Sequence, residues 1–209
     1  MIAVVIADMV NSTKFPRTDV VLWLDELVGA LGSHPDFNWI LAPEIYRGDS
    51  FQAVLQSPAE ALKMAVMARA LFRKYHKNTD LRIAIGIGTG DAMTTRAGTS
   101  DGEAFRLSGH LADHIREQKA RIAIALPLPS VALDATLNLL ETIIEDWTPA
   151  QSEVIAAMML QENMTEIADR LTISQSAVSQ RLSAAKWWAI KSVVEAFPEQ
   201  IDLYLRNAR

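Results

Sequence analysis

The chain begins with an uninterrupted apolar run, Ile2 to Ala7, that stops at Asp8. A strand that carries no polar residue on either alternate face is the pattern of a central strand buried on both sides, and it commits the first part of the chain to a sheet. The pieces that follow supply the rest. A helix is predicted from about Asp19 to Leu31, with Val20, Leu24, Leu27 and Leu31 on one face. A hairpin is predicted to turn at Arg47-Gly48-Asp49-Ser50, because Phe51, Ala53 and Leu55 alternate with polar residues on the way out. Ser57-Pro58-Ala59-Glu60 reads as an N-cap, a first-turn proline and a capping-box glutamate, opening a helix to about Lys77. A strand over Arg82 to Thr89, a helix over Glu103 to Glu117 and a strand over Arg121 to Leu126 complete the series. The order βαββαβ plus a helix and a strand predicts an α+β protein, a ferredoxin-like antiparallel sheet with its helices on one face.

In that topology the first and third strands are antiparallel neighbours, so the end of one lies beside the start of the other. Asp8 and Asp49, far apart in sequence, are therefore expected at one edge of the sheet. Two carboxylates there suit Mg²⁺, or Mn²⁺, shared with phosphate oxygens. Gly-Asp is also ordinary turn chemistry, and the turn alone does not choose between the two readings. Asn11, Ser12, Thr13 and Lys14 follow Asp8 and offer N–H groups, hydroxyls and a cation to a triphosphate. In "LRIAIGIGTG", Leu81, Ile83, Ile85 and Ile87 take one face while Ala84, Gly86 and Gly88 leave the other almost bare. Such a face has room for a flat ligand, a bulge, or another element packed closely.

The segments "VIADMVNST", "IYRGDSFQAVL", "LRIAIGIGTG" and "SDGEAFRLSGHLAD" resemble, in order and approximate spacing, the SatD family, and also look like the catalytic domains of class III nucleotidyl cyclases and GGDEF diguanylate cyclases. The resemblance covers about residues 1–125. It implies metal binding by Asp8 and Asp49. Arg106 and His110 stand where class III cyclases carry an asparagine and an arginine, and the resemblance assigns them to the nucleotide. Ser50 replaces the second acidic position of the GGDEF turn. With those positions changed, the resemblance supports nucleotide binding better than cyclisation.

Residues 131–147 place Leu133, Leu137, Leu140, Ile144 and Trp147 on a short heptad seam, fitting either a core helix or a dimerising connector. Thr148-Pro149-Ala150-Gln151 then opens a new helix with a capping box. These signals divide the chain into a nucleotide-binding domain over 1–130, a connecting helix over 131–147 and an all-α helix-turn-helix domain over 148–209. "NMTEIADRLTISQSAVSQRLSAA" has the helix-turn-helix spacing: Ile167, Ala168 and Leu171 on a first helix, Ile173 in the turn, Val178 and Leu182 on a second. Thr172 stands where many such turns carry glycine. In that geometry Gln175, Ser176, Ser179 and Gln180 face outward to read base edges, with Arg181, Lys186 and Lys191 for phosphates. The net charge is −5 with pI near 5.4, so DNA binding must be local. Residues 148–209 carry six Lys/Arg against seven Asp/Glu, yet Ser174 to Ser192 holds three basic residues and no acid.

The chain has no cysteine, which excludes disulfides, thiolate zinc sites and cysteine nucleophiles. His110 and His114 are four apart but have no third ligand near in sequence, Met158, Met159 and Met164 read as core filling, and one of Trp187 and Trp188 is expected in the core. The N-terminal run lacks a basic lead, and the apolar stretch Ile122 to Leu133 holds two prolines, so no signal peptide or membrane span is expected and a cytoplasmic location follows. The combined expectation is a dimeric DNA-binding transcriptional regulator with a nucleotide-sensing, cyclase-like N-terminal domain. The alternative from another class is a Mg²⁺-dependent nucleotidyl cyclase, or related nucleotide-processing enzyme, with a helix-turn-helix for targeting. A third is an accessory DNA-binding protein whose first domain only dimerises.

Overall fold

The structure, a computed structural model, describes residues 1–75, 77–117 and 119–207. Five strands, β1 (Ile2–Met9), β2 (Trp39–Arg47), β3 (Ser50–Leu55), β4 (Leu81–Gly88) and β5 (Ile122–Ala125), form one sheet in the order β2-β3-β1-β4-β5. The apolar run is the middle strand, as its pattern requires, with β3 and β4 antiparallel on either side. β5 departs from the expected antiparallel sheet. It pairs parallel to β4, because the intervening helix carries the chain back along the sheet before β5 begins.

The first half of the chain contributes α1 (Arg17–Gly32), α2 (Ala61–Arg73) and α3 (Glu103–His114). Ala3, Val5 and Ala7 of β1, Phe51 and Ala53 of β3, and Ile83, Ile85 and Ile87 of β4 form a bulky face packed against α1 and α2. The expectation of helices on one face fails at α3, which lies on the opposite face. Ala84, Gly86 and Gly88 leave β4 bare there, and α3 lies backbone to backbone in the space. A Cβ on Gly86 would stand 2.2 Å from the Ala104 carbonyl oxygen and 2.5 Å from the Ser108 nitrogen. The glycines serve helix packing rather than a flat ligand. Gly102, at the N-cap of α3, has φ 150°, and a Cβ there would crowd the Thr89 carbonyl and the Asp91 amide.

Two capping details differ from the sequence reading. Ser57 caps a 3-10 turn over Pro58–Glu60, accepting from the Ala59 amide, but Glu60 closes no box. Its carboxylate accepts from the backbone and side-chain nitrogens of Asn38, both at 2.8 Å, and so ties the entry of β2 to α2. α2 stops at Arg73 rather than Lys77, where Thr79 Oγ1 donates to the Phe72 carbonyl in the last turn.

The second half is helical: α4 (Val131–Ile144), α5 (Pro149–Met159), α6 (Met164–Leu171), α7 (Gln175–Ala184) and α8 (Trp187–Asn207). The heptad seam of α4 is spent within the chain, with Leu137, Leu140, Ile144 and Trp147 all buried in the main core. α5 begins with the expected capping box between Thr148 and Gln151, and α6 with another between Asn163 and Glu166. Val154 and Ala157 of α5, Ile167 and Ala168 of α6 and Val178 of α7 form a small second core. Thr172 ends α6 in the left-handed region, φ 55° and ψ 45°, the conformation for which glycine has no steric cost. The apolar core does not stop at Trp147. Ile155 and Met159 of α5 and Ile190, Phe197 and Ile201 of α8 belong to the same cluster as the sheet. Trp187 packs on that cluster, while Trp188 is 74% exposed.

Beneath this layer lies a buried ionic cluster. Arg69, fully buried, donates to both oxygens of Asp80 and to both of Glu141 at 2.7–3.0 Å. Arg73 and Arg121 also reach Asp80 Oδ2. Three guanidiniums thus face two carboxylates. Burial pushes the Asp80 carboxyl up, but Arg69, reinforced by Arg73 and Arg121, outweighs it and holds the group well below the usual carboxylate range.

Candidate functional site

Asp8 lies at the end of β1, with Ser50 of β3 and Arg82 of β4 as its cross-strand partners. Asp49 sits in the two-residue turn between β2 and β3, whose geometry is fixed from outside as well as within. The Met9 amide donates to the Asp49 carbonyl at 2.8 Å, joining the end of β1 to the turn. The Arg17 guanidinium crosses over Gly48 so closely that a Cβ there would stand 1.7 Å from Nη2. A side chain at 48 would therefore displace the Arg17 guanidinium from the turn. Ser12 Oγ donates to Asp49 Oδ2 at 2.7 Å. Asp8 Oδ2 accepts from Arg116 Nη2 at 3.3 Å and Arg82 Nη1 at 3.5 Å. Burial raises the Asp8 carboxyl above its ordinary value, aided by the nearby Asp49 charge and opposed by Arg116 and Arg82. A cavity of about 510 Å³ opens over this edge, lined by Asp8, Tyr46, Arg47, Asp49, Asp113 and Arg116 among others.

The loop after β1 separates this cavity from a second one. Val10 donates its amide to the Asp80 carbonyl at 2.8 Å, and Asn11, in the left-handed region at φ 57°, turns the chain into the 3-10 turn Ser12–Lys14. The second cavity, about 570 Å³, is lined by Asn11, Lys14, Arg73, Lys77, Arg121 and Glu145 among others. Four of those six side chains are cations, and two of them, Arg73 and Arg121, belong to the buried cluster, in which three guanidiniums face two carboxylates. Arg73 is 95% buried, and its Nε has no hydrogen-bond partner among the described residues. An anionic ligand is the chemistry such a pocket favours.

The structure thus brings together Asp8, Asp49 and Ser12, and directs Asn11 and Lys14 to the adjoining cationic cavity. Thr13 is exposed and lines neither cavity. Arg106 is not brought to the carboxylates within one chain. It lies in the first turns of α3, bound to Asp101 at 2.8 Å and near Asp91 at 3.8 Å, beside the strand ends opposite to Asp8. His110 is exposed, stacked on His114 with ring centroids 4.4 Å apart. The last turn of α3 and the 3-10 turn after it, Ile115–Glu117, reach the site instead, with Asp113 and Arg116. Sequence reasoning missed Arg82, Asp113, Arg116, Arg73, Lys77 and Arg121. Only Arg82 carried a signal, since strand register sets it opposite Asp8.

The fit of a metal can be judged from the donor set. Among the described residues no group of three or more His, Cys, Asp or Glu is placed to hold an ion. Two carboxylates beside a cationic cavity fit Mg²⁺ or Mn²⁺ that takes its remaining ligands from phosphate and water, not an ion caged by protein alone.

On α7, Gln175, Ser176, Ser179 and Gln180 are exposed, as is Lys186 beyond it, while Arg181 is partly buried. Gln175 Nε2 donates to Thr165 Oγ1 at 3.0 Å, and Ser176 shares a hydrogen bond with Ser174 at 2.9 Å. Among the described residues neither Arg181 nor Lys186 forms an ion pair.

Fold and site define a mixed α+β protein with a five-stranded sheet, eight α-helices among the described residues, and paired carboxylates at the sheet edge. The chain belongs to the SatD family, whose model matches residues 1–192. The match continues through α5, α6 and α7, well past residue 125 where the recognisable motifs end. Comparison with curated proteins returns no match. Among the described residues no helix is long and apolar enough to cross a membrane.

Proposed function

We propose that the protein is a DNA-binding transcriptional regulator whose N-terminal part, ferredoxin-like in its first four strands and cyclase-like in its motifs, senses a nucleotide. The observation that carries the reading is the meeting of Asp8, Asp49 and Ser12 at the sheet edge, with the cationic cavity of Lys14, Lys77 and Arg121 across one loop. A nucleoside triphosphate fits this division. Its metal-bound oxygens face the carboxylates and its remaining phosphate charge faces the cations. Arg106 and His110 stand apart from that edge, which favours sensing over cyclisation. DNA binding is assigned to α7, where Gln175, Ser176, Ser179 and Gln180 present base-reading chemistry and Arg181 and Lys186 are free of ion pairs among the described residues. A dimer bound to a two-fold site supplies the affinity that one near-neutral helical unit lacks.

The test is DNA binding by the full chain, measured with and without a panel of nucleotides and Mg²⁺. A selected sequence motif whose affinity changes with one nucleotide supports the reading. Steady turnover of ATP or GTP, abolished in Asp8→Ala, would make the protein an enzyme instead.

A further inference from the structure

We propose that phosphate in the cationic cavity is sensed at α7 through a buried relay running from Arg73 through Trp147 to Ala185. The inference rests on the phosphate-binding reading above and adds how its occupancy reaches the helices. Arg73 lines the cavity and donates from Nη1 to Asp80 at 2.6 Å. Its Nη2 donates to the carbonyls of Glu145 and Trp147, at 2.8 and 2.7 Å. Trp147, 2% exposed, donates its indole Nε1–H to the Ala185 carbonyl at 3.0 Å. Ala185 caps α7, and the next residue, Lys186, takes φ 52° as the chain passes into α8.

Trp147 therefore holds both ends of the helical unit. Its backbone leads directly into α5, and its side chain fixes the end of α7. The links from Arg73 to the Trp147 carbonyl and from the indole to the Ala185 carbonyl are buried, so breaking either leaves a polar group unpaired instead of returning it to water. Among the described residues Arg73 Nε is buried without a hydrogen-bond partner, so the guanidinium is held in place through its Nη contacts. An anion in the cavity acts on the Arg73 guanidinium through its charge: it leaves both Nη contacts in place, offsets the cationic excess of the cluster and immobilises the guanidinium. Occupancy then stiffens the 145–147 turn and, through the indole, the α7–α8 junction.

The experiment uses the full chain and pyrophosphate as the probe, with affinity from calorimetry and amide hydrogen exchange over residues 145–150 and 183–190. In the wild type, pyrophosphate slows exchange in both segments, by about fivefold or more, the lower end of ordinary site coupling. In Trp147→Phe the slowing persists at 145–150 and is lost at 183–190. Should Trp147→Phe fail to fold, the Trp147 indole N–H of the wild type gives the same information, since its exchange must slow on pyrophosphate binding. Pyrophosphate that binds but leaves 183–190 and the indole unchanged overturns the relay and spares the phosphate reading. An absence of pyrophosphate binding removes both.

Discussion

Arg69 meets Asp80 edge to edge, Nε to Oδ1 at 2.9 Å and Nη2 to Oδ2 at 2.8 Å, with both side chains out of water. The pair links α2 to the start of β4, and through Glu141 to α4. Removing one partner strands the others as buried charge. Asp80→Asn is expected to cost about 3–5 kcal/mol at neutral pH, measured by urea unfolding. Because the folded-state pKa of Asp80 is depressed, its contribution is complete above the ordinary aspartate value of about 3.9 and is lost as pH falls below it. The urea midpoint should fall more steeply from pH 6 to pH 3 in the wild type than in the variant, and equal slopes would show that Asp80 is not the group responsible.

Asp49→Ala should weaken the binding of Mg²⁺ with a nucleoside triphosphate by at least tenfold, about 1.4 kcal/mol. The Met9 amide bonds the Asp49 backbone carbonyl, which the substitution keeps, so the turn is held and the loss is expected in ligand affinity. Calorimetry giving equal affinities for both proteins, with and without metal, would remove Asp49 from the site.

Two glycines separate close packing from mere composition. Gly86→Ala forces a Cβ into the backbone of α3, which cannot retreat without leaving the sheet, and should cost about 3 kcal/mol or more. Gly29→Ala, inside α1 with nothing within 4 Å of the new Cβ, should gain up to about 1 kcal/mol of helix propensity. Thermal unfolding of both variants checks the contrast, and a shift of the same sign in each would contradict it.

Gln180→Ala should relax discrimination at particular base pairs, at about 1–3 kcal/mol for a good bidentate contact. Lys186→Ala should weaken all sequences alike and shallow the salt dependence. Selection from random sequence followed by salt titration distinguishes them. No enriched motif, or identical behaviour of the two variants, would assign α7 to a protein contact.

The local alphabet of the chain determined much of this protein. The unbroken, β-rich Ile2–Ala7 run has the pattern of a central strand and is one, and the Thr148 capping box marked the start of α5 to the residue. The pairing of β1 with β3 was legible from the βαββαβ order, in which those strands are antiparallel neighbours, and that pairing brought Asp8 toward Asp49. Tertiary structure decided what periodicity leaves open. The bare face of β4 and the seam of α4 each fitted several partners, and only packing showed that α3 covers the first and the chain's own core consumes the second. Arg116, 108 residues from Asp8, and Arg73, 74 residues from Trp147, reach their partners from elements whose spacing in sequence carries no trace of the contact. Charge networks of this kind are set by where helices dock, and docking minimises exposed apolar surface over the whole chain at once, so no local stretch encodes it.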